Sequence, residues 1–246
     1  MMSTVAHFTS EGPMELSQQD QWKKVAGEAA ARLVEDGMVV GLGTGSTATF
    51  AVAALGRRVK QDGLRIVGIP TSERTAEQAN AVGIPLTTFA EHTQIDLTID
   101  GADEVLPGLL YLIKGHGGAL LREKIVAAAS KRMAVVADDT KLVKRLGELV
   151  SVPVEVVPFG WQVTAERLRD LGGNPAMRLG ADQKPFITDG GHYILNCAFG
   201  PMDDPKEIAH HLDHVVGLVE HGLFLKYASE AVIAGRDGVK VLRKGS

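Results

Sequence analysis

One cysteine, Cys197, is all that this chain of 246 residues contains, so no disulfide can form within it. A lone thiol suits a reducing compartment, and a cytoplasmic location is expected. No apolar run approaches the ~20 residues of a membrane-spanning helix, which argues against a membrane partner. Residues 1–17 lack the apolar core of a signal peptide and read as a frayed tail or an extension. Lys/Arg runs are missing and the formal net charge is only −4, so nothing marks a nucleic-acid face. Internal repeats and low-complexity segments are absent too. What remains is a globular composition, 45% hydrophobic and 23% charged. The length suits one large domain or two of modest size.

Apolar periodicity then supplies the elements. Trp22, Val25, Ala26, Ala29, Ala30, Leu33 and Val34 recur at helical spacing, which predicts a helix over 18–35. MVVGLG (38–43), RIVGIP (65–70), IDLTID (95–100) and MAVVAD (133–138) are apolar runs of strand length, typical of strands covered on both faces. Helices are predicted between them at 46–55, 73–81 and 120–129. This alternation predicts an α/β fold with a Rossmann-like open parallel sheet, whose ligands sit beyond the carboxyl ends of the strands. Gly43, Thr71, Asp100 and Asp138 fall at those ends. After residue 150 the predicted order becomes β-α-β-β-α-β: strands at 152–157, 175–179, 192–197 and 215–220, helices at 161–171 and 205–212. That is the split βαβ pattern of a smaller, ferredoxin-like α+β unit. The final AVIAGRDGVKVL reads as a hairpin around Arg236-Asp237-Gly238 that returns to the first sheet. The expected domains are therefore 18–150 with 226–246, and 151–225.

GLGTGST (41–47) is the first chemical constellation. Its glycines allow a tight turn and close backbone approach, and Thr44, Gly45, Ser46 and Thr47 open a helix whose free N–H groups favour an anion. Lys141, and Lys23 on the first helix, could add counter-charge. The plain alternative is a strand-to-helix turn that uses Ser46 or Thr47 as a cap. Neither the dinucleotide fingerprint nor the Gly-Lys-Ser/Thr ending of a nucleotide loop is present, so no NAD or ATP is called for. Asp100 and Asp103 end an apolar strand. They could bind a metal, share a proton, meet sugar hydroxyls or cap the next segment, with metal the least attractive. Lys114 precedes a glycine turn, where a cation could stabilise an oxyanion. Glu123 could be a base of raised pKa, or one of the solvated charges Arg122-Glu123-Lys124; periodicity alone favours the solvated face. His210, His211 and His214 have zinc-like spacing without the metalloprotease Glu, and read as a solvated helix face. His192 and His221 read as turn or packing residues, and Cys197 as a buried strand residue.

Together, VGLGTGSTA, TSE (71–73), TIDGADEV, IKGHGGALLREKI, VADDTK, SVPVEVVPFGW, LGGNPAMR, TDGGHYILN and GLF resemble ribose-5-phosphate isomerases of the type A family, from about Trp22 onward. The resemblance implies a Rossmann-like domain with a ferredoxin-like one, and interconversion of ribose 5-phosphate and ribulose 5-phosphate in the non-oxidative pentose phosphate pathway. It implies an enediolate, no cofactor and no metal, and a homo-oligomer, dimer or tetramer. By motif it makes Thr44, Gly45, Ser46 and Thr47 substrate-binding, with Lys141 and Lys23 at the phosphate. Asp100, Gly101, Ala102 and Asp103 would meet the sugar, with Asp100 suited to ring opening. Lys114, Gly115, His116 and Gly117 would line the turn beside the reacting carbons, and Glu123 would be the general base. One departure stands out: His116 occupies a position that many members give to glycine. A positive φ there would strain it, so His116 is expected to point outward with the turn intact.

Two other classes compete. A sugar-phosphate sensor would usually carry a helix-turn-helix, for which the residues before Trp22 are too few and unpatterned. A nucleotide- or CoA-dependent transferase lacks its fingerprints here.

Overall fold

The computed structural model describes residues 16–245. The expected tail, 1–17, lies outside them except for Leu16 and Ser17. The Ser17 hydroxyl accepts from Asp20 N at 3.1 Å and caps the first helix, α1 (Gln18–Ala31). That helix stops short of the predicted Glu35: Arg32, Leu33 and Val34 donate to carbonyls three residues back, and this tightening ends the α-helical ladder.

The main sheet contains β1 (Val39–Leu42), β2 (Val67–Pro70), β3 (Ile95–Gly101), β6 (Ser130–Asp138), β12 (Glu230–Gly235) and β13 (Gly238–Arg243), in the order β13-β12-β6-β3-β1-β2. Every neighbouring pair is parallel except β12 with β13, so the sheet is mixed, with the terminal hairpin supplying its antiparallel edge. α1, α2 (Ser46–Gln61) and α3 (Glu73–Val82) accompany one face, and α4 (Leu120–Ala128) the other. The period of β6 makes the reason visible. Ala134 and Val136 pack with α1 and α2, whereas Met133, Val135 and Ala137 join Ala127 and Phe224 on the opposite side.

A second sheet, order β10-β7-β9-β8, is antiparallel: β7 (Val152–Val156), β8 (Asn174–Met177), β9 (Tyr193–Ala198) and β10 (Leu218–His221), with α5 (Trp161–Asp170) and α6 (Pro205–Leu212) between them. The predicted strand over 215–220 begins only at Leu218, because Gly217 adopts φ +89° in the preceding turn. A third sheet, order β11-β5-β4, was not predicted: β4 (Glu104–Leu106), β5 (Tyr111–Ile113) and β11 (Leu223–Phe224) are too short to carry an alternating pattern. It joins the other two. Tyr111, Ile113 and Leu223 share a core with Val152, Val154, Leu168 and Leu195 of the antiparallel unit.

Candidate active site

The carboxyl ends of β1, β2, β3 and β6 open on one edge of the main sheet, and the predicted residues gather there. At Gly43 a Cβ would lie 2.3 Å from Asp100 Oδ1, so the loop after β1 can approach β3 only with glycine. Thr44 N then donates to Asp100 Oδ1 at 3.1 Å. Its Oγ1 lies 2.7 Å from Thr71 Oγ1, 2.8 Å from Ser72 Oγ and 3.0 Å from Thr75 Oγ1. That hydroxyl is committed inside the protein, and Thr44 shapes the site with its backbone. Gly45 (φ +121°) caps α2 without a side-chain hydrogen bond. The first helical N–H groups, at Ser46 and Thr47, therefore remain available to an anion.

Cations face this helix start. Lys141 ends a 3₁₀ turn, Asp139–Lys141, capped by Asp138, whose Oδ1 accepts from Thr140 N at 3.1 Å. Asp138 Oδ2 receives Gln19 Nε2 at 3.4 Å, and Lys23 Nζ is held 3.0 Å from Asp20 Oδ1.

The floor is an acid–base cluster. Lys114 follows β5 and is 2% exposed. Its Nζ donates to Gly101 O at 2.6 Å and lies 3.0 Å from Asp100 Oδ2 and 3.3 Å from Glu123 Oε2. Neither carboxylate oxygen receives a well-directed hydrogen bond, so these two contacts are ionic. Burial, reinforced by the charges of Asp100 and Asp103, pushes the Glu123 carboxyl up to about 8 against the pull of Lys114. Burial likewise raises Asp100 despite Lys114. For Lys114 burial acts downward, but the two carboxylates outweigh it and hold the ammonium above its usual range. The solvated-face reading of Arg122-Glu123-Lys124 thus fails: Glu123 and Lys124 are buried, and only Arg122 turns outward, pairing with Glu73 at 2.8 Å.

The turn after Lys114 places its positive φ angles at Gly115 (+101°) and Gly118 (+86°), not at His116. His116 is exposed; its N donates to Asp103 Oδ2 (3.0 Å) and its Nε2 lies 2.9 Å from Ser151 O. The feared strain is therefore absent. These parts enclose a cavity of about 530 Å³, open mouth included, lined by all the predicted residues except Asp100, which lies beneath it, and His116.

Two residues at the site were not singled out from the sequence, although Arg178 ends the LGGNPAMR motif. Gln19 lines the cavity from the first turn of α1. Arg178, just past β8, donates to Gly115 O (2.9 Å) and His116 O (3.2 Å), and so braces the turn from the antiparallel unit. Elsewhere, His214 Nδ1 lies 2.7 Å from His210 O, and among the described residues no cluster of His, Cys, Asp or Glu is arranged to hold a metal.

Residues 67–238 match the family model of ribose 5-phosphate isomerase A (phosphoriboisomerase A). The chain is 58% identical over 223 residues to the ribose-5-phosphate isomerase A of Gloeobacter violaceus, covering 91% of this chain and 96% of that one. Its structure resembles that of ribose 5-phosphate isomerase A from Methanocaldococcus jannaschii, with TM-score 0.88, 40% identity and coverage of 92% and 99%. A D-ribose-5-phosphate isomerase solved in complex with phospho-erythronic acid matches with TM-score 0.89, 37% identity and coverage of 92% and 100%. Family model, near-full-length sequence identity and shared fold agree with the buried Lys–carboxylate floor, and the chain belongs to the ribose 5-phosphate isomerase A family.

Proposed function

We propose that Glu123 carries the proton in this chain's reaction, the interconversion of ribose 5-phosphate and ribulose 5-phosphate of the pentose phosphate pathway. The observation that carries the assignment is a buried carboxylate, raised to about 8, set 3.3 Å from a cation on the wall of an anion-binding cavity. The phosphate sits on the N–H groups of Ser46 and Thr47 with Lys141 and Lys23, and the hydroxyls meet Asp103 and the Gly101–Ala102 backbone. Ring opening falls to the Asp100–Lys114 pair, in which Lys114 reaches the cavity and Asp100 lies 3.0 Å behind it. Glu123 then takes the C2 proton. The resulting cis-enediolate oxygen is stabilised by Lys114 and the Gly115–Gly117 turn, the hydroxyl proton passes from O2 to the neighbouring O1, and Glu123 returns its proton to C1. One carboxylate serves both carbons, so no cofactor or metal enters the scheme.

The test is conversion of ribose 5-phosphate by purified protein with a chelator present. Undiminished turnover is expected; turnover abolished by the chelator and restored by a divalent cation would overturn the metal-free scheme. Glu123→Gln should lose about 10²–10⁴ in kcat while still binding a phospho-erythronate probe. Near-normal turnover would remove Glu123 as the base.

The same reading divides the chain into 18–150 with 226–246, and 151–225, supported by the separate sheets although the core is shared. It places a homo-oligomer, dimer or tetramer, in the cytoplasm. Exposed apolar residues on the antiparallel unit, Phe159 (93%), Val163 and Val216 (90%), support association. A monomer by light scattering would remove that part. The lone buried thiol supports the compartment, and no helix among the described residues is long and apolar enough to cross a membrane.

A further inference from the structure

Lys124 is 7% exposed, yet the chemistry above has no use for it. Its Nζ donates to Glu220 Oε1 and to the His221 carbonyl, both at 2.6 Å, and sits 4.9 Å from the centre of the Phe224 ring. The same short segment also holds the partner of the base. Gly222 O accepts from Lys114 N at 2.9 Å, and Leu223 and Phe224 pair with Ile113 and Leu112. Lys114 Nζ lies 5.4 Å from the same Phe224 ring. A Cβ at Gly222 would come within 2.3 Å of Lys114 O, so the approach of this segment to Lys114 depends on glycine.

Glu123 needs such support. It stands in the first turn of α4, whose N-cap, Ala119, offers no side-chain hydrogen bond. At the helix's own cap only the backbone bond from Glu123 N to Ala119 O (2.9 Å) holds this residue, and no side chain does. Lys124, the next residue, fixes it from behind. Around the anchor, burial, ahead of the Lys124 charge, pushes His221 down to about 4, and its Nδ1 accepts from Leu223 N at 3.2 Å; burial also lowers the Lys124 ammonium against the pull of Glu220 and Asp213.

We propose that Lys124 is the positioning residue of the general base: by tying α4 to the Glu220–Phe224 segment that also holds Lys114, it sets the Glu123–Lys114 separation. This rests on the reading of Glu123 as the base. Glu123 faces Lys114, Asp100 and Asp103, while Lys124 faces Glu220, His221 and Asp213. If the anchor is cut, Glu123 drifts from Lys114 and loses the attraction that lowers its pKa. The acid limb of the rate profile then moves to higher pH, and the phosphate contacts stay in place.

The experiment compares Lys124→Met, Lys124→Arg, Glu220→Ala and Lys226→Met in the full chain, with steady-state kinetics on ribose 5-phosphate across the neutral and alkaline range. Lys124→Met should lose roughly 10–100-fold in kcat with KM kept within about twofold, and shift the acid limb upward. Lys124→Arg should recover most of kcat. Glu220→Ala, at a partly exposed site, should show a smaller loss with the same shift. Lys226→Met, at an exposed lysine that lines the same surface cleft as Lys124, Glu220 and His221, should behave as the parent. Unchanged kcat and limb in Glu220→Ala would overturn the proposal even if Lys124→Met fails to fold, and so would an equal effect from Lys226→Met. Glu123→Gln in the same series separates the two readings. If it keeps turnover, the base assignment falls; if it is inactive while Glu220→Ala and Lys124→Met are normal, only the anchor falls.

Discussion

Glu123 Oε2 and Lys114 Nζ lie 3.3 Å apart with both side chains buried, and Asp100 Oδ2 reaches the same ammonium from the other side at 3.0 Å. A single cation thus serves two carboxylates at the floor of the cavity. In the proposed scheme its charge is needed twice, to hold the acids together at rest and to meet the enediolate during reaction.

The pH dependence follows from Glu123. Only the deprotonated carboxylate can take the C2 proton, and burial sets its pKa at about 8. We expect kcat/KM to rise roughly tenfold per pH unit below that value and to level off above it. Stability runs the other way. A carboxylate raised in the folded state contributes stability that is present below its unfolded pKa and lost as pH rises to about 8. Thermal melts should therefore show Glu123→Gln gaining on the parent as pH is raised through that window. A constant difference would contradict the raised pKa.

Lys114→Met leaves Asp100 and Glu123 facing each other without their cation. Breaking a buried pair from one side typically costs about 3–5 kcal/mol, so the melting temperature should drop clearly. The drop should be larger at alkaline than at acid pH, because protonation relieves the two carboxylates. Loss of the oxyanion partner should lower kcat by at least about 10²-fold. A folded variant with near-parental turnover would end the electrophilic role.

Gly43→Ala tests the contact between β1 and β3. The added methyl would sit 2.3 Å from Asp100 Oδ1 and must displace that side chain or the loop. Overpacking of this kind costs about 1–3 kcal/mol, and moving Asp100 should disturb Lys114, 3.0 Å away. Both stability by denaturant titration and kcat are expected to fall. Parental values would show that the loop yields freely.

His116→Gly examines the departure from the glycine-rich turn. His116 does not occupy a positive-φ position, so glycine relieves no strain there. The variant loses the Ser151 contact and gains chain entropy when unfolded. A destabilisation of about 0.5–1 kcal/mol is expected, with kcat/KM little changed. Stabilisation by the glycine would mean that the backbone is strained after all.

The α/β frame was legible because its strands are buried on both faces and run as uninterrupted apolar stretches, as in MAVVAD. The site was legible because Thr44 and Asp100 stand at the ends of readable strands and Lys114 precedes a glycine turn. Glu123 was not readable from periodicity, since its neighbours Arg122 and Lys124 make a polar run whose inner face only tertiary packing defines. The short strand pairing Glu104–Leu106 with Tyr111–Ile113 was missed for want of length. Glu104 illustrates a deeper limit. Its buried carboxylate accepts from Gly147 N, Leu149 N and Val150 N, which lie 43–46 residues away. No local pattern announces a partner at such a distance. The roles of Arg178, although it ends the quoted LGGNPAMR, and of Gln19 were unreadable for the same reason.

The Arg178 clamp has a bearing on how far this chain can be taken apart. The antiparallel sheet and its helices give no residue to the cavity lining, so they look dispensable for holding a sugar phosphate. Yet their guanidinium fastens the carbonyls of the turn that follows Lys114. The two units are therefore poor building blocks: under the proposed mechanism, grafting a foreign module onto the Rossmann-like part would keep the proposed ligand contacts and release the turn that the chemistry is proposed to use.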